Sequence, residues 1–370
     1  MKRQLVIAFM VTRLGLLAVA LAAVSWLPSI AGPEYRHVST NPLIDVWHRW
    51  DSGFFTQIAL HGYGWQAGQP GGDVTFLPLY PLLISLPLRL MAEPAPADAA
   101  GVGVILSNVC LFVALLYLDK LLALDFDDLN LRRRVGWLFL LAPATIFFSS
   151  VYTESLFFML SLIAICHARR GQWIIAGLAG FLGAMTRVMG WTLLLPLAWE
   201  AWQQRGRLPR VTPGVASFAP ALALPLYVGV VGLAMGAPDA YFTISASVWK
   251  QGWNWPWQAF INFFSGSITL YGWDRSWIDL AFTLGFFVLA ILAFRVRKSY
   301  GLYATAAIVF PVLSGILISM PRYVAVAFPV YIVLAQWVRG HRWRIIVLLT
   351  ASALLAAFFA ARFVTWHWIA

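Results

Sequence analysis

The sequence predicts an all-α polytopic membrane protein, and three observations carry that expectation. Of its 370 residues 61% are hydrophobic and only 11% charged, whereas a soluble domain carries about 25% charged residues. Apolar stretches of helical length recur along the whole chain. Basic residues concentrate in alternate connections between them. The mean hydropathy of +0.76 agrees. Length alone would suggest two or three domains, but with a bilayer setting the architecture residues 1–370 read as one domain. The net charge of +11 raises nucleic acid as a partner, yet no soluble module presents a basic face with interleaved aromatics. Cys110 and Cys166 lie inside apolar spans and read as packing residues.

The elements follow in chain order. Residues 1–27, MKRQLVIAFMVTRLGLLAVALAAVSWL, have a basic start but an apolar run longer than the roughly 7–15 residues of a signal-peptide core. They read as an uncleaved first transmembrane helix. Further apolar segments lie at roughly 100–122, 135–150, 152–168, 173–186, 190–204, 214–235, 277–294, 301–319, 323–338 and 344–365. That makes about eleven candidate crossings, several shorter than the usual ~20 residues. With a cytoplasmic N-terminus, the cytoplasmic segments collect Lys2, Arg3, Lys120, Arg132, Arg133, Arg134, Arg169, Arg170, Arg205, Arg207, Arg210, Arg295, Arg297, Lys298, Arg339, Arg342 and Arg344. The positive-inside rule is satisfied.

FLPLYPLLISLPLRLM, residues 76–91, is short and interrupted by Pro78, Pro81 and Pro87. Counting it as a crossing would place Arg132–Arg134 outside. It reads as a re-entrant or interfacial segment of a long first outer loop, about 28–99. A true crossing balanced by a miscounted short helix is the alternative. A second large outer loop covers about 236–276 and contains SVWKQGWNWPWQAF. Arg13 lies within the first helix, and Arg36, Arg49, Arg89, Arg187, Lys250, Arg275, Arg322 and Arg362 fall outside. Outer cations run against the usual bias, so some are expected to serve a ligand.

Candidate chemistry begins at WHRWDSGFFTQIALHGYG, residues 47–64. On one continuous helix Trp47, Asp51, Phe54 and Ile58 would fall within an arc of about 60°. Asp51 would then sit on an apolar face, where a charge is costly without a partner or a task. Either it pairs with Arg49 or another outer arginine, or it is a general base facing a cavity at the membrane surface. Glu154, in FFSSVYTESLFF, either starts a helix and complements its dipole or is a second acidic group binding sugar hydroxyls. Arg187 and Arg322 interrupt apolar sequence at outer turns. They either snorkel to the interface or offer planar forks to a phosphate. Lys250 is a candidate of the same kind.

His48 and His61 flank Asp51 without metal-ligand spacing. Asp73, in QPGGDVTF, reads as a helix cap. No GxxxxGK[ST] or GxGxxG occurs, so no nucleotide-cradling loop is expected. The WNWPW run reads as an aromatic belt, with sugar stacking as its second reading. Trp47, Trp50, His48, His61, Tyr152, Trp253 and Trp255 are the candidates for acceptor or sugar contact.

HRWDSGFFTQIALHGY, TFLPLYPLL, FFSSVYTESLFF, GAMTRVMGW and SMPRYVAVAFPVY occur in this order across positions 48–331. Together they resemble the phosphatidylinositol-glycan class V family and its prokaryotic relatives, within the GT-C superfamily of membrane glycosyltransferases. The resemblance implies a GT-C-like helical bundle. It implies transfer of a sugar, most often mannose, from a polyprenyl phosphate to a hydroxyl of a lipid-linked or envelope acceptor, with inversion, on the outer or lumenal face. It implies an acidic residue in the first outer loop that deprotonates the acceptor hydroxyl, which falls on Asp51, and an acidic group in the second, which falls on Glu154. Arg187 and Arg322 fall in turns that could reach the donor phosphate. A lipid monophosphate donor needs an apolar groove and basic groups but no required cofactor, leaving room for an optional divalent cation.

The chain is shorter than the eukaryotic enzymes of that family, and its short arginine-rich loops suggest a bacterial cytoplasmic membrane. The eukaryotic acceptor is therefore not carried over. Two rival readings stand beside the transferase. A transporter or flippase of a lipid-linked saccharide would favour internal repeats and midplane polar residues, neither of which is evident. A non-catalytic subunit of a membrane glycosylation complex is the other.

Overall fold

The computed structural model describes residues 2–30, 37–64, 72–206, 211–266 and 276–369. Among the described residues the regular elements are α-helices and short 3-10 helices, with no strand. Four helices are long and apolar enough to cross a membrane: Arg3–Trp26, Pro96–Leu122, Val211–Met235 and Arg342–Val364. At 1.5 Å per residue each is about 35–40 Å long, more than the ~30 Å hydrocarbon core. By length and composition these four are candidate membrane spans.

The shorter apolar segments show where proline overrides periodicity. Residues 173–186 form the expected helix, Trp173–Thr186. The segment expected at 135–150 is instead a helix, Leu129–Leu140, followed by a 3-10 helix, Pro143–Phe148. Residues 323–338 likewise divide into Met320–Ala325 and Pro329–Trp337. In both places a proline lacks the N–H that would continue the helix, and its ring clashes with the carbonyl four residues back. Residues 190–204 begin as a 3-10 helix, Val188–Leu193, before Leu194–Gln203. Within 76–91 the helix is Leu79–Leu88, about 15 Å long and so about half the ~30 Å core.

The chain divides into two compact units. The first comprises Met1–Gly62, Tyr80–Leu162 and Tyr331–Ile369. Its Arg3–Trp26 helix carries Arg13, which is buried and has a defined task. Its guanidinium donates to the Leu140 carbonyl at 2.8 Å, to Thr145 Oγ1 at 2.7 Å, to the Thr145 carbonyl at 3.2 Å and to Ser149 Oγ at 3.2 Å. The break before Pro143 orphans helix-end carbonyls, and a cation at a helix C-terminus is favourable. In the same unit Phe139 stacks on Phe158 at 4.5 Å and meets Phe148 and Tyr331 edge-on at 5.1 and 5.6 Å.

The second unit comprises Tyr63–Leu79 and Ile163–Val330. The Trp173–Thr186 and Val211–Met235 helices touch backbone to backbone: a Cβ on Gly177 would lie 3.0 Å from the Ala216 Cα. Small residues permit this approach between apolar helices. Buried Glu200 takes a bidentate pair from Arg297 at 2.8 and 2.9 Å and a hydroxyl donation from Ser299 at 2.6 Å. Two tyrosines hold the Tyr63–Leu79 segment. Tyr227 donates to the Val74 carbonyl at 2.8 Å, and Tyr63 donates to the Phe76 carbonyl at 2.7 Å. Asp73 does not cap a helix as expected. It lies within a 3-10 turn, Gly72–Thr75, and accepts from the Gly64 N–H at 2.7 Å.

Arg13→Leu should therefore destabilise the protein strongly. Each buried acceptor left unpaired costs on the order of 1–3 kcal/mol. A thermal melt in detergent checks this, with Arg13→Lys recovering only part because an ammonium lacks the fork. An unchanged melting temperature in Arg13→Leu would refute the capping role.

Candidate functional site

The stretch around Asp51 is not one helix. Asn41 caps a short helix, Pro42–Asp45, by accepting from the Leu43 N–H at 3.0 Å. Trp50 then adopts a left-handed φ of 53°, and a new helix, Ser52–His61, begins with Asp51 at its N-cap. The left-handed residue resets the helical phase, so Trp47 and Asp51 do not share the face expected of them. A non-glycine residue in that region costs on the order of 1–3 kcal/mol and persists only where surroundings hold it. Asp51 is half-buried, and its side chain makes no capping hydrogen bond.

Arg49 pairs with Asp45 at 2.8 Å, not with Asp51. Its side chain also donates to the carbonyls of Asp45, His48 and Val364. Burial would raise the Asp45 carboxyl, but the Arg49 charge and hydrogen bonds from His37 and Arg49 hold it below its ordinary value. His48 is buried, with Nε2 3.0 Å from Thr56 Oγ1. Burial first, then the Arg49 charge, pushes its pKa down to about 4. It is neutral at pH 7. His61 is exposed at the end of its helix, and Trp47 is buried.

Tyr152 meets the backbone that carries Asp51. Its buried hydroxyl donates to the Arg49 carbonyl at 3.2 Å and accepts from the Asp51 N–H at 3.3 Å. Next to it the Val151 N–H donates to the Trp47 carbonyl at 3.1 Å. Two residues on, Glu154 opens the Glu154–Arg169 helix, as expected of a helix-start residue, and is 1% exposed. A carboxylate that deep in an apolar unit needs a polar partner or a function. The first unit thus holds Asp51, Glu154, Trp47, Trp50, His48, His61 and Tyr152.

The second unit holds Arg187, Arg322, Lys250, Trp253 and Trp255. Arg187 is extended just past the Trp173–Thr186 helix. The chain then folds back so tightly that a Cβ on Gly190 would lie 2.1 Å from the Ala184 Cα. Arg322 lies on the Met320–Ala325 helix, which follows Ser319 at a left-handed φ of 61°. Both guanidinium carbons stand 5.2 Å from the ring centroid of Tyr323. They are therefore no further apart than twice that distance. The two cations thus gather on one aromatic ring, and the buried Asp279 carboxylate acts electrostatically on Arg322.

Sequence reasoning missed Tyr323, and it missed Asp279. The Asp279 carboxylate is fully buried at the start of the Trp277–Ala293 helix and accepts from the Met320 N–H at 2.6 Å. It pins the turn that carries Arg322. Its signal is present in the sequence, since an acid inside an apolar span is expensive and has a purpose by default. Lys250 is exposed, with φ 54°. Its loop is stitched to residues 313–314 by the Gly252 and Asn254 N–H groups at 3.3 and 2.8 Å. Trp253 meets Trp191 at 6.3 Å and Phe310 at 5.9 Å. Trp255 stacks on Trp257 at 5.1 Å, both exposed.

The fold has solved counterparts. ArnT from Cupriavidus metallidurans in the apo state matches with a TM-score of 0.50 and 16% identity over 89% of this chain. The chain spans 58% of that protein's length. ArnT bound to undecaprenyl phosphate gives a TM-score of 0.52 at 12% identity, covering 96% of this chain and 75% of the other. The Archaeoglobus fulgidus oligosaccharyltransferase, tethered with an acceptor peptide, gives 0.46 at 12% identity over 94% of this chain and 55% of that one. Among curated proteins no sequence relative matches. The profile of the family described as mannosyltransferase (PIG-V) matches residues 16–203, just over half of the chain, including the motifs around Asp51, Glu154 and Arg187. The resemblance drawn from the motifs is borne out, and the chain belongs to the mannosyltransferase (PIG-V) family.

Proposed function

We propose that this protein is an inverting GT-C-type glycosyltransferase. It moves a sugar, mannose by the family's description, from a polyprenyl phosphate to a hydroxyl of a lipid-linked or envelope acceptor. The observation that carries the reading is the pair of guanidinium groups, from two separate motifs, gathered on Tyr323. Forked, permanently charged groups suit a phosphate. A structure of similar fold was solved with undecaprenyl phosphate bound, which supports a lipid phosphate as ligand. In this reading residues 1–370 act as one transferase domain in a bacterial cytoplasmic membrane. The N-terminus is cytoplasmic and the reaction takes place on the periplasmic or external face.

The chemistry balances without a required cofactor. Asp51 accepts the proton of the acceptor hydroxyl, and the resulting oxygen attacks the anomeric carbon. The bond from that carbon to the phosphate oxygen breaks, and polyprenyl phosphate leaves with the electron pair. Arg187 and Arg322, with Lys250 as an auxiliary cation, stabilise the charge that develops on the leaving phosphate. Glu154, buried at the start of its helix, is the second acidic group of this reading and would bind sugar hydroxyls only from a substrate that reaches it. The exposed Trp253, Trp255 and His61 offer surface to the sugar or acceptor, whereas Trp47, His48 and Tyr152 are buried and Trp50 is half-buried, so these four shape the fold around the site.

Transfer of labelled mannose to a lipid-extract acceptor pool tests the reading. Polyprenyl-phosphate-mannose is expected to serve as donor, and GDP-mannose, with any donor-making synthase excluded, is not. Asp51→Asn should lower kcat by about 10²–10⁴-fold, the usual contribution of a positioned base. Wild-type turnover in a folded Asp51→Asn protein would move the base role to Glu154. Tyr323→Leu should weaken the donor's apparent affinity by roughly 3–30-fold, the value of one or two cation–π contacts, with a smaller effect on kcat. No change in donor KM would remove Tyr323 and its arginines from the phosphate site.

A further inference from the structure

The polypeptide just after the Arg342–Val364 helix lies against the motif that carries Asp51. The Arg49 Nε donates to the Val364 carbonyl at 3.0 Å, and its guanidinium stacks 4.9 Å above the Trp366 ring. Trp50 meets Trp366 edge-on at 5.6 Å and Trp368 edge-on at 5.1 Å. Trp366 is itself left-handed, with φ 63°. Arg362 donates to the Trp368 carbonyl at 3.0 and 3.3 Å, folding this segment back onto its own helix. The Ile30 N–H donates to the Thr365 carbonyl at 3.1 Å. Every one of these contacts lies within the first unit.

We infer that residues 364–368 are a positioning element for Asp51, in which Trp366 and Trp368 hold Trp50 in its left-handed conformation. That conformation ends one run of chain and starts the Ser52–His61 helix with Asp51 at its cap. If Trp50 relaxed to an ordinary right-handed backbone, the helix would start in another phase and the Asp51 side chain would leave its place. The element lies outside residues 16–203, which match the family profile. The inference rests on the proposal that Asp51 is the base. A plain packing role is the competing explanation, because buried aromatic clusters stabilise any fold.

A double-mutant cycle in the full-length protein separates the two, using the half-buried Trp368 to limit damage to folding. Trp368→Ala should lower kcat about tenfold or more, since small displacements of a reacting group are costly. Donor KM should stay within about twofold of wild type, and Trp368→Phe should restore most of kcat. In an Asp51→Asn background the same substitution should cost nothing further, because groups acting through one another are not additive. Hydrogen–deuterium exchange gives a readout free of turnover. Peptides covering residues 50–58 should exchange faster in Trp368→Ala while those covering 100–122 keep their rate. An unchanged kcat in Trp368→Ala would overturn the inference, and so would an equal loss in both backgrounds. Wild-type turnover in Asp51→Asn alone would overturn the base assignment first, so the two failures are distinguishable.

Discussion

Inside an apolar environment every backbone N–H and carbonyl needs a partner, so a helix can end there only if something meets the groups it leaves behind. This structure has several such endings, and its buried polar side chains are distributed accordingly. Arg13 receives the carbonyls released where Leu129–Leu140 stops before Pro143. Tyr152 receives the Arg49 carbonyl and the Asp51 N–H where the chain changes direction before the Ser52–His61 helix. Asp279 receives the Met320 N–H at the turn into Met320–Ala325. Each buried polar group makes a break tolerable, and the breaks carry the candidate site residues.

That distribution sorts the charged residues by task. Arg13, Arg49, Asp45, Glu200 and Arg297 are spent on carbonyls or on one another within their own unit. Such pairs define geometry more than they add stability, because desolvation offsets much of their attraction. Asp51, Arg187 and Arg322 stand at helix boundaries, where the backbone changes direction. A pair of arginines sharing Tyr323 is an arrangement with repulsion built in.

Much of this architecture is legible in the apolar pattern alone. The long crossings, the Trp173–Thr186 helix and the helix-start position of Glu154 follow from local composition and period, which depend on neighbours a few residues away. The Asp51 motif is legible as a motif, but its geometry is not. A continuous helix from Trp47 to Ile58 is the natural reading of its apolar spacing. What interrupts it is Trp50 in a left-handed conformation, against Trp366 and Trp368 from the far end of the chain. Arg49 looks like a partner for Asp51 because the two are close in sequence, yet it turns to Asp45, one helical turn back.

By itself, then, the sequence determined an apolar helical chain, its prolines as break points, and the motifs that place it in a mannosyltransferase family. Those properties are local and additive, so they can be read residue by residue. Only the tertiary structure decided which side chain satisfies which break. It also decided that Arg187 and Arg322 meet on Tyr323, and that Asp51 begins a helix instead of lying midway along one. These outcomes depend on contacts between residues tens to hundreds of positions apart, such as Arg49 with Val364. No local period encodes such a contact, because its energy exists only once the helices have packed.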